Sequence, residues 1–305
     1  MSGVLAALVP VFAVILLGRL LKRGWLVAES FWQSAEAITF YIFFPALLIS
    51  NTAQAKLRGD EVAPMLAALL AGILAMAALT FALRRPLRLD GPAFTSLLQG
   101  AIRPNIYVGL AAAQALFGRE GLALLSVAVA FAVPMVNVIS VLALLRWAAP
   151  GSRFGARSIL LPLLGNPLIV SCVIGLAFNV AGIGLTPLVG PLLEILGRAS
   201  LPIGLLAVGA GLDLTAIGAA SRTVVVASAL KLLLLPALTV ALCLAFAATP
   251  TATAIAALYA ALPGSASAYV MARQMGGNAP ILAGVITLTT IGAVVSIPAI
   301  MTLLR

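Results

Sequence analysis

The chain has little charge and no histidine. Only 9% of its 305 residues are charged, well below the share of about 25% that is usual in soluble domains. The absence of histidine excludes imidazole metal sites and imidazole proton relays. Only three lysines are present (Lys22, Lys56 and Lys231), and none ends a GxxxxGK[ST] phosphate-binding loop. The sequence therefore encodes no ATP-driven motor of that class.

The cysteines and the first apolar run argue against a disulfide framework and a cleavable signal peptide. The two cysteines, Cys172 and Cys243, lie inside apolar runs and are interpreted as small core residues rather than a disulfide framework. The first apolar run, 4–21, is followed and not preceded by basic residues, which is the reverse of a cleavable signal peptide.

Apolar residues dominate the rest of the chain. They make up 63% of it, and the mean hydropathy is +1.20. Since a membrane-spanning helix needs roughly 20 apolar residues, we predict an all-α polytopic membrane protein whose single membrane domain covers residues 1–305. The predicted spans are 4–21, 31–51, 62–83, 93–117, 122–147, 158–179, 187–212, 222–247, 252–273 and 279–303.

The distribution of basic residues predicts the orientation. The five odd-numbered loops hold eleven Lys or Arg residues, whereas the even-numbered loops and the termini hold four. Loops rich in Lys and Arg stay in the cytoplasm. Both termini are therefore predicted to lie outside the cytoplasmic (inner) membrane, and the net charge of +10 is mainly a topology signal and does not indicate nucleic-acid binding.

The two halves of the chain show a weak internal repeat. Offsets of 157 and 159 residues align prolines, glycines and one tripeptide in the same order in both halves. The aligned pairs are Pro10/Pro167, Gly18/Gly175, Pro45/Pro202, Ala78-Leu79-Thr80/Ala237-Leu238-Thr239, Pro104/Pro263 and Gly118/Gly277. We predict five-helix repeats at 1–147 and 158–305, joined by a short cytoplasmic linker at 148–157. An odd number of spans inverts the second repeat, which is the pattern of alternating-access transporters.

The fourth and ninth spans each carry a proline near the middle. Residues 99–109 read QGAIRPNIYVG and residues 261–269 read ALPGSASAY, so each proline precedes polar side chains and a tyrosine. Paired interruptions of this kind point to a substrate site near the midplane. A half-helix that begins at each proline would direct its positive end to the centre and favour an anion. The alternative is that both prolines are structural kinks.

Arg103 strengthens the prediction of an anion site. A cation in the middle of a membrane is costly and usually functional, and the guanidinium suits a carboxylate. The predicted substrate-binding residues are Arg103, Pro104, Asn105, Tyr107, Pro263, Ser265, Ser267 and Tyr269. Neither broken span contains Asp or Glu, the residues expected to hold a cation. The alternative for Arg103 is snorkelling, or pairing with Glu36 or Glu194.

Four further polar residues within or beside the spans are possible coupling or support residues: Glu36, Arg198, Asp213 and Lys231. Arg198 lies four residues after Glu194, on the same helix face, and is more consistent with a structural ion pair. Lys231 either carries coupling protons or neutralises a carboxylate. An enzyme is not predicted, because no histidine base and no GxSxG motif are present, and neither a cofactor nor a metal is expected.

Several motifs together resemble the auxin efflux carrier family over essentially the whole chain. They are Arg103-Pro104-Asn105-Ile106-Tyr107-Val108-Gly109, the helix with Pro45, Asn166-Pro167, Leu201-Pro202-Ile203-Gly204-Leu205, and Leu262-Pro263-Gly264-Ser265-Ala266-Ser267-Ala268-Tyr269-Val270 followed by Ala272-Arg273. The resemblance implies ten helices in two inverted repeats, similar to bile-acid symporters and sodium/proton antiporters. Spans 1, 2, 6 and 7 would form a scaffold, able to support a homodimer, and the other spans a moving unit.

The family also suggests a substrate. Plant members bind the carboxylate of auxin at the crossing, where Asn105 matches the asparagine after the first proline, and bacterial members are described as permeases for malonate and similar acids. The short linker and Arg103 differ from the plant pattern. We therefore expect secondary or facilitated transport of a small carboxylate by an elevator-like movement. The alternative is a sodium- or proton-coupled carrier of the same fold, with a different substrate such as an amphipathic acid.

Overall fold

The computed structural model describes residues 2–24, 27–55, 59–148, 165–218 and 221–304, and these form helices and short connections. In chain order the helices are α1 (Ser2–Arg23), α2 (Glu29–Ala53), α3 (Gly59–Arg84), α4 (Gly91–Ile102), α5 (106–117), α6 (119–143), α7 (Pro167–Val180), α8 (Val189–Ala210), α9 (Thr215–Gly218), α10 (Arg222–Ala245), α11 (Pro250–Ala261), α12 (Ala266–Met275) and α13 (Ala279–Leu303). The linker 149–157 and the predicted start of the sixth span, 158–164, lie outside the described residues.

Among the described residues, seven helical segments are long and apolar enough to cross a membrane: Gly3–Arg23, Glu29–Ala53, Glu61–Arg84, Ile106–Ala148, Val189–Ala210, Arg222–Ala245 and Ala279–Leu303. The segment Ile106–Ala148 includes both α5 and α6, which are separated by Gly118 with φ +62°. The predicted fourth and ninth spans are each two short helices, α4 with α5 and α11 with α12. Large apolar side chains such as Val9, Leu233 and Leu303 are exposed on the long helices, as expected for a surface that faces lipid.

The centre of the bundle is formed by the two short helices that precede the prolines. All residues of α4 from Phe94 to Ile102 are buried, and so are all residues of α11 from Ala252 to Ala261. Helix α4 packs against α3, α10 and α13, while α11 packs against α3, α10, α13 and the segment formed by α5 and α6. A second group of helices packs at the side, where α1 contacts α8 and α2 contacts both α7 and α8.

Two glycines allow the helices of this side group to approach closely. A Cβ at Gly18 of α1 would lie 2.1 Å from the carbonyl oxygen of Leu206 in α8. A Cβ at Gly175 of α7 would lie 3.0 Å from the carbonyl oxygen of Ile49 in α2 and would also collide with Thr52. Gly175 lies 157 residues after Gly18, and Leu206 lies 157 residues after Ile49. Each of the two contacts therefore has its counterpart in the other half.

The ends of α3 and α10 repeat the same turn 159 residues apart. The amides of Leu87, Arg88 and Leu89 donate to the carbonyls of Leu83, Arg85 and Arg84. The amides of Phe246, Ala247 and Ala248 donate to those of Leu242, Leu244 and Cys243 in the same pattern. Arg88 and Ala247 both have positive φ, 51° and 54°. The helices that follow are capped at equivalent positions, by Asp90 and Thr249.

The sequence alignment is displaced at one of its glycines. The offset of 159 residues aligns Gly118 with Gly277. Gly118 has positive φ, but in the second half the glycine with positive φ at this place is Gly276, with φ +77°. Gly276 follows Met275 at the end of α12, where a residue without Cβ most easily adopts the left-handed conformation.

Helix α8 ends at Ala210. Asp213 therefore lies in the turn after the helix and not in its last turn.

The glycine contact makes a prediction about stability. We expect Gly18→Ala to lower the free energy of unfolding by about 1–3 kcal/mol, because the new methyl group would overlap the backbone of α8. The measurement is the apparent Tm of the purified protein in detergent. Gly59→Ala is the matched control, since a Cβ there would meet no atom within 4 Å. An equal Tm for the two variants would contradict the packing of α1 on α8.

Candidate functional site

Both broken helices have extended backbone at the proline. Helix α4 ends at Ile102, Arg103 has φ −85° and ψ 117°, and α5 begins after Asn105. Helix α11 ends at Ala261, Leu262 has φ −60° and ψ 145°, and α12 begins after Ser265. Proline has no N–H and disfavours helical conformation in the residue before it, which explains both breaks.

The two breaks lie side by side and satisfy each other's backbone groups. Pro104 and Gly264 form an antiparallel bridge, and the amide of Asn105 donates to the carbonyl of Pro263 at 2.8 Å. The amide of Gly264 donates to Oγ1 of Thr289 in α13 at 2.9 Å, and the Thr289 hydroxyl donates back to its own helix. Unsatisfied backbone groups are costly in a membrane interior, so these contacts stabilise the crossing.

Arg103 is buried at this crossing without an acidic partner among the described residues. Its residue exposure is 6%. Nη2 donates to Oγ of Ser267 at 3.1 Å, and Nη1 lies 3.3 Å from Sδ of Met271. The alternative pairing with Glu36 or Glu194 is therefore wrong. A buried cation is costly unless an opposite charge or strong acceptors compensate it, and one hydroxyl and one thioether are weak compensation.

The N-termini of α5 and α12 differ in their capping. Oδ1 of Asn105 accepts hydrogen bonds from the amides of Tyr107 and Val108 at 3.1 and 3.3 Å, so the start of α5 is already satisfied. Ser265 makes no capping bond to α12. Its hydroxyl is paired instead with that of Ser267 at 2.9 Å. The positive end of α12 is therefore the one open to an anion.

The two predicted tyrosines lie in different surroundings. Tyr107 stacks on Phe44 of α2, with ring centroids 4.7 Å apart and an interplanar angle of 7°. Tyr269 lies on α12, near the guanidinium of Arg273, which is 6.0 Å from its ring centroid. The crossing thus brings together Arg103, Pro104, Asn105, Pro263 and Ser267. Met271 and Thr289 were missed, because nothing in their local sequence distinguishes them from residues that only pack within the bundle.

The possible coupling residues do not form one cluster. Arg198 pairs with Glu194 at 2.9 Å, and Glu194 also binds Arg119 at 2.8 Å, which confirms the structural ion pair. Glu36 is exposed on α2. Asp213 accepts from the amide and hydroxyl of Thr215, and these hydrogen bonds lower the pKa of its carboxyl group.

Lys231 is fully buried in the π-helical turn Leu230–Leu234 of α10. Its Nζ has no hydrogen-bond partner in the described part of the chain, and no carboxylate pairs with it there. That turn packs against both α4 and α11, which places the amine beside the two central helices.

A cavity of about 760 Å³ lies between α2, α8 and the bend at Gly118. Polar and charged side chains line much of it, including Asn51, Gln54, Gln114, Arg119, Glu194 and Arg198. It is formed at the end of the bundle that carries the even-numbered loops, the side predicted to lie outside. Within the described residues, no group of three or more Cys, Asp and Glu side chains is arranged to bind a metal.

The long apolar helices, with two broken helices meeting among them, define an integral polytopic membrane protein. A family model described as membrane transport protein (Mem_trans) matches residues 3–301. The chain belongs to this family, the auxin efflux carrier family, as the sequence motifs predicted. No curated protein matches the chain.

The contact between Gly264 and α13 can be tested with a neighbouring threonine as control. We expect Thr289→Val to lower the free energy of unfolding by about 1–3 kcal/mol, because it leaves the buried amide of Gly264 without an acceptor. Thr290→Val removes a hydroxyl that bonds only its own helix and should lower the apparent Tm less. The reverse order of the two Tm values would argue against the crossing geometry.

Proposed function

We propose that the protein is a carrier for a small organic anion, with Arg103 and the start of α12 holding a carboxylate of the substrate. The supporting observation is the buried guanidinium of Arg103, which has no acidic partner in the described chain and lies 3.1 Å from Oγ of Ser267. Ser267 is itself exposed, so a solute can reach this point. A carboxylate placed there would neutralise the cation and accept from the uncapped amides of α12.

The remaining predicted site residues have supporting roles in this proposal. Ser265, Ser267 and Tyr269 offer hydroxyl groups along α12. Asn105 holds the start of α5 through its Oδ1, and no hydrogen bond from its Nδ2 is found within the described chain, so that group is assigned to the substrate. Tyr107 contacts Phe44 of the side group and would change partners if the central helices moved.

The proposed mechanism is alternating access in a fold of ten spans and two inverted five-helix repeats. The paired contacts of Gly18 and Gly175, and the identical turns after α3 and α10, support the duplication. In this proposal α1, α2, α7 and α8 form a scaffold, through which a homodimer could assemble, and the crossing moves against it. We place the protein in the cytoplasmic membrane with both termini outside, on the basis of loop charge.

Uptake into proteoliposomes tests the role of Arg103. With labelled malonate as the probe, we expect Arg103→Gln to weaken apparent affinity about 10- to 100-fold, the cost of one or two charge-assisted hydrogen bonds. Arg103→Lys should retain part of the affinity, because it keeps the charge and loses the planar fork. Arg222→Gln is the matched control, since it removes the same charge from an exposed helix start. Unchanged affinity in Arg103→Gln would remove Arg103 from the site.

Proton coupling through Lys231 is a second proposal. The charged form of a fully buried amine with no partner among the described residues has a high free-energy cost, so the amine can lose its proton. In addition, a π-helical turn often marks a functional position. If Lys231 released its proton on one side of the membrane during the transport cycle, substrate flux would be coupled to a pH gradient.

Two variants separate proton transfer from simple charge at this position. An imposed pH gradient should change the uptake rate several-fold in the native protein but not in Lys231→Met. Lys231→Arg should also lose the gradient dependence, because arginine does not release its proton in proteins. A gradient response in Lys231→Arg equal to the native one would contradict proton transfer by Lys231.

A further inference from the structure

Three arginines cluster at the end of α3, outside the residues that form the crossing. Phe81, Ala82, Arg84, Arg85, Arg88 and Leu89 line a cavity of about 800 Å³, here called the arginine pocket. No carboxylate lies within ion-pair distance of its three arginines in the described ranges. Asp90 is the nearest acid in sequence, and its Oδ1 accepts from the amide of Ala93 instead. The three positive charges therefore face one cavity without a counterion from the described chain.

Aromatic rings hold one of these arginines in place. The rings of Phe81, Phe94 and Trp147 form a triangle with centroid distances of 5.0, 5.1 and 5.4 Å. The guanidinium of Arg84 lies 5.4 Å from the Phe94 centroid and 5.8 Å from that of Trp147. Arg146 lies 5.6 Å from Trp147 on the same cluster. These cation–π contacts order Arg84, one of the three arginines of the pocket, before any ligand arrives.

The fold itself does not require arginine at these positions. The corresponding turn after α10 has the same hydrogen bonds and the same left-handed residue. The residues there that match Arg84, Arg85 and Arg88 are Cys243, Leu244 and Ala247. A preference for basic residues in cytoplasmic loops accounts for positive charge at this end. It does not account for three arginines around one cavity that also has Phe81 in its lining.

We propose that the arginine pocket binds the phosphodiester headgroup of an anionic phospholipid. Guanidinium groups bind phosphate oxygens in pairs, and clusters of basic residues just beyond the cytoplasmic end of a membrane helix bind anionic headgroups. The pocket lies at the end of a 26-residue apolar helix, at the depth of the headgroups. Its wall includes Phe81, which is 40% exposed and would contact the acyl chains. This apolar wall favours a lipid over a free anion.

Lipid binding to the purified protein tests this proposal. Native mass spectrometry in detergent would compare phosphatidylglycerol, phosphatidylcholine and inorganic phosphate as probes. We expect saturable binding of phosphatidylglycerol, at least about tenfold tighter to the native protein than to Arg85→Gln/Arg88→Gln. Phosphatidylcholine and inorganic phosphate should bind weakly to the native protein. Their affinity should be no higher than that of phosphatidylglycerol for Arg85→Gln/Arg88→Gln. Arg84 stays unchanged because it packs on the rings.

A charge-matched control separates the pocket from the general charge of this face. Arg23→Gln/Arg222→Gln removes two positive charges from loops predicted on the same side, and it should bind phosphatidylglycerol as the native protein does. An equal loss in this control would overturn the proposal, and so would native-like lipid binding by Arg85→Gln/Arg88→Gln. Equally tight binding of inorganic phosphate would overturn the choice of a lipid. If Arg85→Gln/Arg88→Gln is not monodisperse, Arg88→Gln alone replaces it. This variant should also bind phosphatidylglycerol more weakly than the native protein does.

Discussion

The structure depends on how two interrupted helices satisfy their backbone groups inside a membrane. Each proline removes a hydrogen-bond donor and forces extended backbone around it, and lipid supplies no replacement partner. The two interruptions therefore have to meet, and they do so through the bond from Asn105 to Pro263 and the bridge between Pro104 and Gly264. The amide of Gly264 is satisfied by Thr289 of α13. The burial of α4 from Phe94 to Ile102 and of α11 from Ala252 to Ala261 is consistent with this requirement. The same requirement leaves two helix starts, those of α5 and α12, pointing at one region of the protein interior.

The backbone of the crossing is nearly symmetric, whereas its chemistry is not. Arg103 precedes the first proline and apolar Leu262 precedes the second. Asn105 caps α5 with its side chain, but Ser265 at the equivalent position does not cap α12. Positive charge and unsatisfied donors are thus concentrated on one side, where Arg103 meets Ser267. In the proposed function this asymmetry directs a single carboxylate to α12. A similar asymmetry exists at the ends of α3 and α10, where identical turns carry arginines in one half and uncharged residues in the other.

The sequence predicted the breaks well because proline acts through its own covalent structure and its immediate neighbour. It predicted the pair of Glu194 and Arg198 because residues four apart share a helix face. It did not predict the partners of Arg103, since these depend on how α4 and α12 are rotated about their axes. Thr289 was missed for a similar reason. Its neighbour Thr290 looks the same in sequence, yet only Thr289 accepts a bond from Gly264. The alignment pairs Gly118 with Gly277, whereas the glycine with positive φ after α12 is Gly276, because its position depends on where that helix ends.

In the proposed function, a substrate carboxylate lies between Arg103 and the start of α12. An experimental structure of the protein with bromomalonate, whose bromine can be located by its anomalous scattering, would show where the carboxylate binds. We expect a carboxylate within hydrogen-bond distance of the Arg103 guanidinium and the amides of Ala266 and Ser267. A ligand bound only in the cavity beside Arg119, Glu194 and Arg198, with Arg103 still on Ser267 and Met271, would contradict it.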